Sequence, residues 1–170
     1  MNELEKYGDS IFKIDKLTPT EIDVLTEHRY VKVVEYDVKE KKLITVLLRP
    51  MPPHSSTHIF LVWSIKRLLK DIKGIKRIQT DFTVDADLTF NYETKVIAIE
   101  VETGSLLKVR KRLERKAEHL NDMYGNSWFF VVSNKNLVPK YRKYGKVTTR
   151  RGVAEMLQKM LKSSTPWKGV

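Results

Sequence analysis

The 170-residue chain contains no cysteine, which removes disulfide frameworks, thiolate zinc sites and cysteine nucleophiles from consideration. No apolar run approaches the length that a bilayer span requires. The opening residues Met1-Asn2-Glu3-Leu4-Glu5-Lys6 lack the charged-then-apolar layout of a secretory signal, so a cytoplasmic protein is expected. Thr103-Gly104-Ser105 has neither the glycine spacing nor the Gly-Lys-Ser/Thr ending of a phosphate loop, and Gly-x-Ser-x-Gly does not occur. ATP hydrolysis and serine hydrolase chemistry are therefore disfavoured. Internal repeats and low-complexity segments are also missing.

What the chain has in excess is positive charge: the net charge is +11 and the isoelectric point about 9.7. A surplus of this size points to a polyanionic partner. Nucleic acid ranks before a membrane surface, because no polybasic run abuts an apolar anchor.

The pattern along the chain predicts α/β organisation. Residues 10–14 read as a short strand, and Thr18-Pro19-Thr20-Glu21 supplies an N-cap, a proline for the first helical position and an acidic first turn, predicting a helix to about Glu27. Residues 30–38 and 43–49 form two β-rich segments around Lys39-Glu40-Lys41-Lys42. This helix and hairpin, residues 1–52, read equally as the remnant of a winged helix with its lysine-rich turn against phosphates, or as an edge hairpin extending the main sheet. Met51-Pro52-Pro53-His54-Ser55-Ser56 marks a junction, after which residues 53–170 form the main unit. A long helix over 57–73, capped by Ser56 or Thr57, is followed by a strand over 75–80. A second long helix over 105–124 carries Leu106, Val109, Leu113, Ala117, Leu120 and Tyr124 on its buried stripe. Residues 127–133 read as a fully buried strand whose preceding helix makes a parallel crossover. A short helix over 137–144, a helical stretch over 152–162 and a frayed end over 163–170 complete the expectation.

The densest chemical signal lies between the two long helices. Val84-Asp85-Ala86-Asp87-Leu88-Thr89-Phe90 and the run 95–104 flank Asn91-Tyr92-Glu93-Thr94 and read as a hairpin. Strand periodicity turns Glu100 and Glu102 to one face and Ile97, Ile99 and Val101 to the other, with Asp87 reaching the acidic face from the neighbouring strand. Gathered carboxylates repel one another and lose hydration, so a fold tolerates them chiefly where a cation is held. Oxygen ligands suggest Mg²⁺ or Mn²⁺. Asp85 is an alternative to Asp87 as ligand, and Glu102 could instead open the turn to Ser105 and cap the helix.

Helix, hairpin with Asp then Glu-x-Glu, helix and strand resemble, over about 57–133, the common core of the PD-(D/E)XK nuclease superfamily. The resemblance implies a restriction-endonuclease-like α/β core with a mixed central sheet flanked by helices. It further implies that Asp87 and Glu100 bind Mg²⁺ or Mn²⁺ and that Glu102, standing where lysine is usual, helps activate water. In other branches the next helix supplies a basic residue, a role that falls to Lys116, with Arg112 one turn earlier. Glu-Val-Glu-Thr-Gly, with Lys116 and Tyr124 after it and His58 before it, is similar to nuclease-like domains of plasmid replication-relaxation and mobile-element proteins.

The expected function is a metal-dependent DNA endonuclease of a mobile element, phage or plasmid. The alternative is an inactive nuclease-fold DNA-binding protein involved in replication or mobilisation. DNA is expected along Lys108, Lys111, Arg112 and Arg115 of the second long helix and along Lys66, Arg67 and Lys70 of the first, with His58 able to reach phosphate. Nucleases that cut both strands are often dimers, so a homodimer is the assembly to test. Trp63, Trp128, Phe129 and Phe130 read as core, whereas Tyr141, Tyr144 and Trp167 could stack on bases or cover the core. His28, His54 and His119 read as packing, loop or solvated residues.

Overall fold

Thr18, Pro19 and Glu21 start the first helix as their chemistry dictates: the Thr18 side chain accepts from the Glu21 backbone N–H, and Glu21 accepts from that of Thr18. This helix, α1 (Pro19–Glu27), follows strand β1 (Ile11–Lys13) and precedes the hairpin β2 (Val31–Asp37) and β3 (Lys42–Leu48). The computed structural model describes residues 10–81 and 85–162. Val84, Trp167 and the segments 1–9 and 163–170, which figure in the expectations above, lie outside the described residues.

The hairpin forms an antiparallel sheet with β1 in the order β1-β3-β2, rather than extending the central sheet. Helix α2 (Ser56–Lys70) joins the two sheets. Its cap is Ser55, not Ser56 or Thr57: the Ser55 side chain accepts from the His58 backbone N–H at 3.2 Å. It also ends at Lys70, three residues before the expected stop. One side of α2 packs Ile59 and Phe60 against Ile44, Val46 and Leu48. The other packs Leu61, Ile65 and Leu69 against the central sheet, each such buried side chain being worth about 1.5–3 kcal/mol.

A buried polar knot reinforces the first of these interfaces. Asp37 is fully buried and accepts from Ser64 at 2.6 Å, from Arg67 at 2.9 Å and from the Glu40 backbone N–H at 3.0 Å. Arg67 also reaches Glu40 at 3.3 Å and lies 4.5 Å above the ring of half-buried Trp63. Arg67 therefore binds the hairpin to α2, whereas the sequence pattern places it on DNA.

The central sheet has the order β4-β5-β6-β7-β8, from β4 (Ile75–Thr80), β5 (Leu88–Tyr92), β6 (Lys95–Glu102), β7 (Trp128–Val132) and β8 (Val147–Thr149). The first three strands are antiparallel, and β7 and β8 add in parallel. Strand β8 has no counterpart among the expected elements. The β5–β6 turn is only Glu93–Thr94, so Asn91 and Tyr92 belong to the strand. Gly74 holds φ +92° before β4, with the Tyr92 ring 3.1 Å from where a Cβ would sit, a position that suits glycine on both counts.

The expected helix over 105–124 is broken. A 3₁₀ turn over Ser105–Lys108 gives way at Val109 (φ −126°, ψ 69°) to α3 (Arg110–Tyr124). Val109 is consequently exposed rather than part of the buried stripe, while Leu113, Ala117 and Leu120 do pack inward. Helix α4 (Val138–Tyr141) and α3 cover one face of the sheet, and α2 and α5 (Val153–Lys162) the other, so a mixed sheet lies between helical layers. Among the described residues no helix is long and apolar enough to cross a membrane.

Candidate active site

The β5–β6 register aligns Leu88 with Ile99, which sets Asp87 opposite Glu100 on the face shared with Ala86 and Ala98. The two carboxylates are cross-braced. Asp87 N–H donates to Glu100 Oε2 at 3.2 Å, and Val101 N–H donates to Asp87 Oδ2 at 2.8 Å. Glu102 follows two residues later on the same face, as strand alternation requires, and all three carboxylate residues are buried. Lys116, from α3, places Nζ 3.2 Å from Glu100 Oε1 and donates to the Asp85 carbonyl at 2.8 Å. Asp87, Glu100, Glu102 and Lys116 are thus gathered at one end of the sheet, where α3 crosses it.

Burial pushes the Glu100 carboxyl well above the ordinary carboxylate range, and the charges of Asp87 and Glu102 add to the shift against the opposing pull of Lys116. Burial also pushes Glu102 up to about 7, its hydrogen bond from Tyr141 pulling the other way. Burial and mutual repulsion thus favour neutral carboxyls here, and a bound divalent cation would act against both by favouring the ionised form. Among the described residues no three His, Asp or Glu side chains form a ready metal cage. Mg²⁺ commonly takes one or two carboxylates and completes its shell with water and phosphate oxygens. Asp87 and Glu100 fit that donor set, and the same oxygen chemistry suits Mn²⁺.

Two neighbours support the acidic face. His58, buried near the start of α2, brings Nε2 to 3.2 Å from Asp87 Oδ2, so its ring meets the cluster rather than open solvent. The Tyr141 hydroxyl donates to Glu102 Oε2 at 2.9 Å. Tyr141 is wholly buried and edge-on to Phe130, which removes it from the residues that could stack on bases. Glu102 is therefore a strand-end residue held by a tyrosine, not a helix cap; the 3₁₀ turn that follows has Gly104 at its N-cap and no side-chain cap. Asp85 is engaged separately: the Tyr124 hydroxyl lies 2.7 Å from Oδ1 and 2.9 Å from Oδ2, and His119 Nε2 lies 3.8 Å from Oδ1. That attachment leaves Asp87, not Asp85, paired with Glu100.

Of the residues expected on DNA, Lys108, Lys111, Arg112 and Arg115 are all exposed along the 3₁₀ turn and α3, so they form a basic face beside the cluster. Arg112 lies on that face, while Lys116 alone among these cations contacts the carboxylates. Lys66 is half-buried. Tyr141 escapes sequence reasoning as a support for Glu102 because helix α4 spans barely one turn and offers no periodicity to mark its inward side. The signal for His58 is its place at the opening of a helix that leads toward the acidic hairpin. No protein-family model matches the chain, and neither a curated protein nor a solved structure matches it.

Proposed function

We propose that this chain is a metal-dependent DNA endonuclease built on a PD-(D/E)XK-like core and acting in the cytoplasm on DNA of a plasmid, phage or other mobile element. The observation that carries the reading is the convergence of Asp87, Glu100, Glu102 and Lys116 on one buried face, with Lys116 3.2 Å from Glu100. The order α2, three antiparallel strands, α3 and a parallel strand supports the resemblance.

In this reading Asp87 and Glu100 hold Mg²⁺ or Mn²⁺, which when bound supplies Lewis-acid polarisation of the scissile phosphate and lowers the pKa of water. Glu102 accepts the proton of the water whose oxygen attacks phosphorus in line. The P–O ester bond opposite breaks, and the leaving oxygen takes a proton from solvent. Lys116 offsets the negative charge that develops on the phosphate. Tyr141 fixes the Glu102 carboxylate, and the exposed cations of α3 hold the DNA backbone without reading sequence.

One observation favours a second reading. Glu102, where the superfamily usually has lysine, is buried and already bonded to Tyr141, an arrangement that also suits a nuclease-fold DNA-binding protein without turnover. Incubation of linear and branched DNAs with wild-type protein and Asp87→Asn, in Mg²⁺, Mn²⁺ or EDTA, decides between them. Cleavage that needs metal and Asp87 is expected; binding with no cleavage of any substrate would overturn the endonuclease in favour of the second reading.

A further inference from the structure

Helix α4, whose Tyr141 turns inward to Glu102, presents its outer side to a groove of about 470 Å³ that it shares with the start of α3. Arg110, Lys140 and Lys143 line this groove, no carboxylate among the described residues does, and its walls include Leu107, Pro139 and the ring of half-buried Tyr144. Lys143 Nζ lies 5.1 Å from the centre of that ring. Arg110 pairs at 3.1 Å with Glu114, an exposed pairing between neighbouring helical turns that a phosphate can displace at little cost.

We propose that this groove binds an unpaired DNA strand, with a nucleobase on Tyr144 and the adjoining phosphates on Arg110, Lys140 and Lys143. The charge is complementary to a phosphate backbone, and the combination of cations with an aromatic and apolar wall distinguishes strand from duplex. A duplex keeps its bases stacked inside and would use the cations while leaving Tyr144, Leu107 and Pro139 idle. A single strand offers base faces as well as phosphates, and each stacked base adds affinity independently of sequence. One short helix borders both the groove and Glu102, so a strand held here lies across α4 from the carboxylate cluster. The inference takes DNA as the partner from the reading of that cluster, and it narrows the substrate to DNA with a single-stranded portion.

The test is fluorescence anisotropy of a labelled oligothymidine, and of a duplex of equal length, with the full chain in EDTA so that no cleavage occurs. Tyr144→Ala should weaken oligothymidine binding by roughly 5- to 150-fold, the range for removal of a base–aromatic stack, while Tyr144→Phe keeps the wild-type affinity and the duplex responds little to either. The pair Lys140→Ala and Lys143→Ala, both exposed and remote from the fold's interior, should lower the salt slope for the oligothymidine by about 0.7 for each phosphate no longer neutralised. An unchanged slope, or equal losses of affinity on strand and duplex, overturns the inference. Asp87→Asn separates it from the nuclease reading. If that variant loses cleavage while the groove variants bind normally, the groove assignment falls alone. If the groove variants lose strand binding while Asp87→Asn cuts at the wild-type rate, the endonuclease site falls alone.

Discussion

Across 39 residues of sequence, the Tyr141 hydroxyl donates a 2.9 Å hydrogen bond to the buried carboxylate of Glu102. The partners arrive on unrelated elements, the last residue of β6 and the last residue of α4, and the ring is fixed by Phe130 at a centroid separation of 5.2 Å. Tyr141→Phe keeps that packing and removes only the donor. Leaving a buried acceptor unpaired costs about 1–3 kcal/mol, so urea unfolding should show a loss of this size in the wild-type background. It should be smaller in Glu102→Gln, and an equal loss in both backgrounds would mean the bond contributes nothing specific.

Asp87→Asn and Glu100→Gln should each abolish metal-dependent cleavage and leave a folded protein. Burial and the field of Asp87 both favour a neutral side chain at Glu100, so the fold tolerates neutral residues in this cluster. Thermal melts in EDTA should therefore show midpoints no lower than wild type. Cleavage at the wild-type rate by both variants would mean the metal ligands lie elsewhere.

Sequence signals are legible where the chemistry is local. Thr18, Pro19 and Glu21 mark the start of α1 because each acts within one turn, and the alternation of Ile97, Ile99 and Val101 with Glu100 and Glu102 marks the two faces of β6 because the period is fixed by the backbone. Legibility ends where the tertiary fold chooses among equivalent residues. Ser55, Ser56 and Thr57 are all competent caps, and only the chain path out of the preceding loop selects Ser55. Val109 fits the apolar spacing of one long helix, but the 3₁₀ break turns it to solvent. Arg67 belongs to a basic helix edge by sequence, and only the fold reveals Asp37 beneath it. Strand β8 is three residues long and is recruited by its pairing with β7, not by any pattern of its own.

The Asp37–Arg67–Glu40 knot carries a stability prediction that the DNA assignment does not. Arg67→Ala strips the buried Asp37 carboxylate of its ionic partner, a change that typically costs about 3–5 kcal/mol, while the salt dependence of DNA binding should stay as in wild type. Glu40 gives the pH signature. The hydrogen bond from Lys13, aided by Arg67 and opposed by burial, lowers its carboxyl from 4.5 to about 2. A carboxyl held below its unfolded value stabilises the fold above that value and loses the contribution as pH falls through the folded one. The stability difference between wild type and Glu40→Gln, measured in urea, should be constant at neutral pH and shrink between pH 4.5 and about 2. A difference that does not change over that range would dissociate Glu40 from the knot.

The basic face of the 3₁₀ turn and α3 should govern duplex binding through phosphates alone. Replacing exposed Lys108, Lys111 and Arg115 together by alanine should reduce the log–log salt slope by about 0.9 for each phosphate that is no longer neutralised, with little effect on sequence preference. A slope unchanged from wild type would move the footprint off this helix, most directly to the Lys39–Lys42 turn.

Glu102 and Lys116 separate an active nuclease from a binding relic. Lys116 reaches Glu100 and the Asp85 carbonyl from α3, so a positive charge stands at the cluster. If Glu102 takes the proton of the attacking water, Glu102→Ala should lower turnover by about 10²–10⁴-fold while DNA binding persists. Lys116→Ala should also slow cleavage, with little change in DNA affinity, because its ammonium faces the carboxylates rather than the exposed side of α3. Glu102→Lys installs an ammonium among Asp87 and Glu100, whose charges favour it despite the burial, and should retain or raise activity. Single-turnover cleavage of one labelled DNA by the three variants measures all of this. A wild type that cuts nothing, beside a Glu102→Lys variant that cuts, would identify Glu102 as the residue that switched the chemistry off, since one side chain then accounts for the difference between a bound substrate and a cleaved one.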